Sequence, residues 1–80
     1  MQTITTKFLP ATNTKGKRIK ASTTSGISIT WDWDYSWGVE ENHRAAAESL
    51  KIQLGWNSTF VGGDTNNGMV FVAVDGRHKI

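Results

Sequence analysis

The stretch Gly26-Ile-Ser-Ile-Thr-Trp-Asp-Trp-Asp-Tyr35 sets Ile27, Ile29, Trp31, Trp33 and Tyr35 at odd positions and Ser28, Thr30, Asp32 and Asp34 at even ones. Strict alternation places every large apolar group on one face of an extended strand, with the polar groups on the other. At about 3.3 Å per residue the whole stretch would reach roughly 30 Å, long for a small domain, so the strand is expected to bend or end near Trp33. The fold is therefore expected to rest on a sheet with one face turned to a core.

Upstream, Lys17 to Thr23 alternates less cleanly, with Ile19 and Ala21 inward and Arg18, Lys20 and Ser22 outward. Thr24-Ser25-Gly26 is a turn signal, which makes residues 17–33 a hairpin. Met1 to Leu9 reads as a third strand, with Ile4, Thr6 and Phe8 on one side, and Pro10 stops it because proline has no N–H for the ladder. Ala11 to Gly16 is polar and suits an exposed loop carrying Lys15.

Downstream, Val39, His43, Ala46, Ala47, Leu50 and Leu54 follow the spacing of one helical stripe and predict a helix over 40–54. Glu40 and Glu41 fall in its first turn, where carboxylates favour the positive end of the helix dipole. Gly55 suits the left-handed position past the last turn, and Trp56 can fold back on Leu50 or Lys51 as in a Schellman cap. Ser58–Val61 and Met69–Val74 read as two more strands joined by a glycine-rich loop over 62–68, with Asn67-Gly68 as a turn dipeptide. The charged tail Asp75–Ile80 is expected to fray. The expected class is α+β, a small antiparallel sheet in the order β-β-β-α-β-β with one helix on one face and Trp31, Leu50, Leu54 and Phe71 in the shared core. Met69–Val74 is apolar on both faces, so the second face is expected to be covered by a homodimer or a partner.

Composition narrows the function classes. Eighty residues allow one modest core, and the chain is read as a single domain, 1–80. It has no cysteine, which removes disulfides, thiolate zinc sites and thiol nucleophiles and points to the cytoplasm. No apolar run nears the roughly 18 residues of a membrane span, and Met1–Lys7 is polar rather than signal-like. The net charge of +2 is unevenly spread: residues 1–31 carry five cations and no acid, whereas residues 32–48 carry five acids against Arg44 alone. Such polarity steers encounters with charged partners.

Candidate chemistry is sparse. His43 falls on the buried stripe and reads as a packing histidine, His78 as a tail residue. Asp32 and Asp34 would project from one strand face about 7 Å apart, but lack the further oxygen ligands a hard cation needs. Gly62-Gly63 and Gly68 fit no phosphate-loop pattern. Asn57-Ser58-Thr59 matches a glycosylation sequon, without consequence where no secretory signal is present. No nucleophile, base and oxyanion donor assemble, so neither an enzyme nor a cofactor or metal site is expected. Trp31, Trp33 and Trp37 crowd around Tyr35, and such rings either fill a small core or anchor a partner. For Trp37 both readings stand. Lys15, Lys17, Arg18 and Lys20 cluster in and after the 11–16 loop with no acid nearby. These four cations and Trp37 form the candidate partner-binding set.

The run from Ile4 through Thr-Thr-Lys-Phe-Leu-Pro-Ala-Thr-Asn-Thr-Lys-Gly-Lys-Arg-Ile-Lys to Ala21, the later Asn42-His-Arg-Ala-Ala46 and the closing Met69-Val-Phe-Val72 together resemble small accessory proteins of bacterial phages and other mobile elements. The resemblance covers most of the chain and carries no catalytic or binding residue. Proteins of that kind include anti-CRISPR and other anti-defence inhibitors, which occupy a surface on a host complex. What the resemblance implies is a non-enzymatic inhibitor of a host defence complex, itself protein or nucleoprotein, acting in the host cytoplasm by direct contact. Many such proteins are strongly acidic mimics of DNA, and this chain departs from them in sign. The competing expectation is a small nucleic-acid-binding protein that uses the basic hairpin, its cations on phosphates and its aromatics on bases.

Overall fold

The computed structural model describes residues 2–66 and 68–74, so the expectations placed on Met1, on Asn67 and on the tail Asp75–Ile80 with His78 lie outside the described residues. Six elements follow one another: β1 (Thr3–Leu9), β2 (Arg18–Thr23), β3 (Ser28–Asp32), α1 (Val39–Leu54), β4 (Phe60–Asp64) and β5 (Gly68–Ala73). They form an α+β fold, a five-stranded antiparallel sheet of order β3-β2-β1-β5-β4 with α1 on one face. β1 lies at the centre, flanked by the two hairpins. No helix among the described residues is long and apolar enough to cross a membrane.

Register fixes the two faces. Ile4, Thr6 and Phe8 share the helix side with Ile19 and Ala21 of β2 and with Met69 and Phe71 of β5. Ile4, Ile19, Ala21, Met69 and Phe71 close with Ala46, Ala47 and Leu50 of α1 into the core. Leu50 is fully buried, as its stripe requires. The helix packs over β1, β2, β3 and β5, which leaves β4 at the far edge with little cover. Trp31, on edge strand β3, and Leu54, the last residue of α1, are half-buried against the core rather than within it. A strand with a neighbour on one side shields its side chains less than a central one.

Three expectations change. β3 ends at Asp32, next to the Trp33 where its end is expected, and as a result Asp32 and Asp34 do not share a strand face and Tyr35 is 72% exposed. The alternation continues on paper, but Asp34 turns the chain. Its Oδ1 accepts hydrogen bonds from the Ser36 N–H at 2.9 Å and the Ser36 hydroxyl at 2.6 Å. Those bonds hold the Asp34 carboxyl below its ordinary value, the Ser36 hydroxyl acting most strongly. The helix opens at Val39, one residue before the expected range 40–54, and Val39 is exposed although it belongs to the stripe. Gly62, Gly63 and Asp64 belong to β4, not to a loop. Gly62 pairs with Phe71, and a Cβ on Gly62 would sit 2.6 Å from the Phe71 ring, so the ring fills the place of the missing side chain.

The hairpin and the cap form as read. Gly26, at φ 98°, turns β2 into β3, and the Thr23 N–H bonds Ile27 O at 2.8 Å. Gly55, at φ 71°, ends α1; its N–H bonds Ile52 O and the Trp56 N–H bonds Lys51 O, both at 3.1 Å, the two bonds of a Schellman motif. Trp56 then stacks on Phe60 with centroids 5.9 Å apart, and Lys51 lies over Phe60. In this way the cap ties the helix end to the start of β4.

Candidate functional site

The outer face of the sheet, opposite α1, divides into two halves. On the β4–β5 side, Val61 stands across from Val72 and Val72 from Thr3, and Val61 is 55% exposed. On the β1–β2–β3 side, Lys7 stands across from Lys20 and Lys20 from Thr30, while Arg18 pairs in register with Leu9 and Asp32. Thr5, Ser22 and Ser28 make the next row inward, a line of hydroxyls beside the cations. None of Lys7, Lys15, Arg18 and Lys20 forms an ion pair with a described carboxylate; among the described residues Arg44 and Glu40 do so, at 3.7 Å along the helix.

The five candidate residues do not form one patch. Lys15 and Arg18 border a dip of about 540 Å³ shared with Thr14, Gly16, Thr30 and Asp32. The Arg18 Nε donates to Gly16 O at 3.3 Å, which holds the guanidinium along the loop. Lys20 lies further along the same outer face. Lys17, one residue before Arg18, belongs to the helix side and places its ammonium 5.6 Å from the centre of the Tyr35 ring. Trp37, 45% exposed, lines a separate depression with Glu41, Arg44, Ala45 and Glu48 at the start of α1. Lys7 was missing from the candidate set: sequence spacing shows which face of its own strand it takes, but not that β1 would lie beside β2.

A second feature opens on the helix side, at the sheet end that carries the 11–16 loop. Here a cleft of about 670 Å³ lies among Phe8, Lys17, Trp33, His43, Asp64 and Met69, with Glu40 at its edge. Phe8 and Trp33 meet edge to face with centroids 5.2 Å apart, and Trp33 meets the His43 ring the same way at 6.1 Å. The Trp33 N–H bonds Lys17 O at 3.0 Å, so the residue after β3 is still tied to the residue before β2.

His43 is 3% exposed, and its Nδ1 lies 2.7 Å from Thr6 Oγ1. Thr6 Oγ1 also lies 3.3 Å from Met69 O, so the hydroxyl sits between the imidazole and the β5 backbone. Thr6 Oγ1 and Nδ1 share one hydrogen bond, with the tautomer of the ring setting which of the two donates. Burial lowers the proton affinity of His43, and Asp64 opposes that shift.

The segment between β3 and α1 is held by Asn42. Its Oδ1 accepts from the Asp34 N–H at 2.9 Å, while Nδ2 donates to Asp34 O at 3.0 Å and Gly38 O at 2.9 Å. One buried side chain thus replaces the missing secondary structure between β3 and α1. A polar residue on a helix stripe was the available signal, and it marks a residue that must find buried partners. No group of histidine and carboxylate side chains able to hold a metal occurs among the described residues. No family model, curated protein or solved structure matches the chain.

Proposed function

We propose that this protein is a non-enzymatic nucleic-acid-binding protein that lays the phosphate backbone along the outer face of β1, β2 and β3. The observation that carries this reading is the register of Lys7 against Lys20. Like charges directly opposite on a sheet disfavour folding, and a bound polyanion turns that repulsion into attraction. Arg18 and Lys15 extend the cationic row toward the loop, and Thr5, Ser22, Ser28 and Thr30 add hydroxyls of the kind that contact phosphate oxygens. An acidic protein surface would match the charge but gains less from rows of small hydroxyls on a flat sheet.

The test is fluorescence anisotropy of labelled single-stranded and duplex oligonucleotides across a salt series. Affinity should fall steeply with salt, and Lys7→Glu with Lys20→Glu should flatten the logarithmic slope by about two phosphate contacts' worth, roughly 1.4 to 1.8. Binding that ignores salt, or a double variant that binds like the parent, would overturn the proposal.

A second reading has its own observation. Val61 and Trp37 are exposed, and Val61 and Val72 form an apolar pair on the uncovered face. Those groups suit direct contact with a protein, either a host defence complex inhibited in the manner of anti-CRISPR proteins or a second copy of this chain. Affinity capture from a bacterial lysate separates the readings, since a partner retained after nuclease treatment supports protein contact. Light scattering of the purified protein reports the second copy.

A further inference from the structure

We infer that the cleft between Phe8, Trp33 and His43 receives one unstacked base of a single strand, and that it selects a base bearing an exocyclic amino group. The inference rests on the nucleic-acid reading and assigns the base-reading part of it to a different face.

The two faces meet at one end of the sheet. Lys7 and Phe8 are consecutive in β1, and Lys17 and Arg18 are consecutive at the start of β2; in each pair the cation or ring on one face adjoins its neighbour on the other. A strand held by Arg18 and Lys7 on the outer face is therefore one residue's reach from Lys17 at the cleft. Lys17 supplies the phosphate contact at that turn. Phe8 and Trp33 are half-buried rings, leaving aromatic surface to the cleft, and stacking on such rings is the usual means of holding a splayed base.

Selectivity follows from the polar atoms. Thr6 engages His43 at Nδ1, and Nε2 makes no hydrogen bond to a described residue, so that ring nitrogen is left for a ligand. Asp64 and Glu40 add carboxylate acceptors, while Lys17 is the one charged donor among the lining residues. An acceptor-rich wall fits the amino group of cytosine or adenine and opposes the carbonyl that thymine presents in the same place. A carboxylate accepting from cytosine N4 is a known pairing geometry.

The experiment compares labelled dC10 and dT10 at one salt concentration, with wild type, Asp64→Asn and the Lys7→Glu, Lys20→Glu double variant. Asp64 is exposed, so its replacement by the isosteric amide leaves the core untouched. Wild type should prefer dC10 about tenfold, and Asp64→Asn should bring the two oligonucleotides together while keeping the salt slope. As a second readout, cytidine monophosphate titrated into labelled protein should shift the His43 ring and the Gly68 amide. Equal, salt-dependent binding of dC10 and dT10 with no shift at His43 overturns the cleft assignment and leaves the outer-face reading standing. Absence of binding to either oligonucleotide overturns both.

Discussion

Thr6 Oγ1 and His43 Nδ1 lie 2.7 Å apart, joining the central strand to α1 through a hydrogen bond in which both side chains are buried. Burial disfavours the charged imidazole, and this gives the fold a pH dependence of known sign. In the unfolded chain His43 titrates near its ordinary value of 6.5, whereas in the folded protein burial lowers that value, with Asp64 opposing. Below 6.5 the unfolded state binds the proton more readily, so the contribution of His43 is full above that pH and is lost as pH falls through the lowered folded value. Urea midpoints measured between pH 8 and 5 should decline on the acid side, and His43→Gln should flatten that decline. The charged groups sharing the cleft, Lys17, Glu40 and Asp64, are unchanged in the variant. An unchanged pH profile would show that His43 is not the group responsible.

Thr6→Val removes the hydroxyl but keeps the shape. It leaves the buried His43 Nδ1 without its hydroxyl partner, and should cost about 1 to 3 kcal/mol in chemical denaturation. A loss indistinguishable from zero would mean that water replaces the hydroxyl.

Leu50→Ala opens a cavity beneath the C-terminal half of α1, where Leu50 is fully buried. The expected loss is roughly 2 to 5 kcal/mol. Ile52→Ala, two residues on and 70% exposed, should change stability by less than about 0.5 kcal/mol. Similar losses at both positions would contradict the orientation of α1.

Asn42→Ala should release the segment from Asp34 to Gly38, because the Asn42 amide bonds the backbone at both ends of it. Hydrogen exchange at the Asp34 amide should accelerate while the β1 amides stay protected. Asn42→Asp is expected to fail as a rescue, since a carboxylate cannot donate to Asp34 O and Gly38 O.

Glycine substitutions should rank by what the new Cβ meets. Gly16→Ala meets nothing within 4 Å and should be nearly silent, whereas a Cβ on Gly68 would run into the Thr6 carbonyl oxygen, a backbone atom that cannot swing aside. Thermal melts should place Gly68→Ala far below Gly16→Ala.

Much of this architecture is legible in local pattern. The alternation of Ile27, Ile29 and Trp31 marks β3, the stripe through His43, Ala46, Ala47 and Leu50 marks α1, and Gly55 marks its end. What is not legible depends on atoms far apart in sequence. Gly62 and Gly63 look like a loop because glycine weakens strands, and only the Phe71 ring lying over Gly62 makes the strand reasonable. Tyr35 continues the alternation in the sequence, while Asn42 and Ser36 draw the chain away from it. Lys7 carries no signal of its own, since its importance arises when β1 settles beside β2 and meets Lys20.

That Lys7 and Phe8 serve opposite faces makes the ladder intolerant of frame. Inserting a single residue early in β1 would leave composition, charge and hydropathy almost unchanged, yet it would send Lys7 beneath the helix and Phe8 into water. The tight approach of Gly68 to the Thr6 carbonyl blocks the neighbouring strand from following such a slip. Length variation in descendants of this sequence should therefore collect in the 11–16 loop and spare the seven residues of β1, even where many single substitutions there are tolerated.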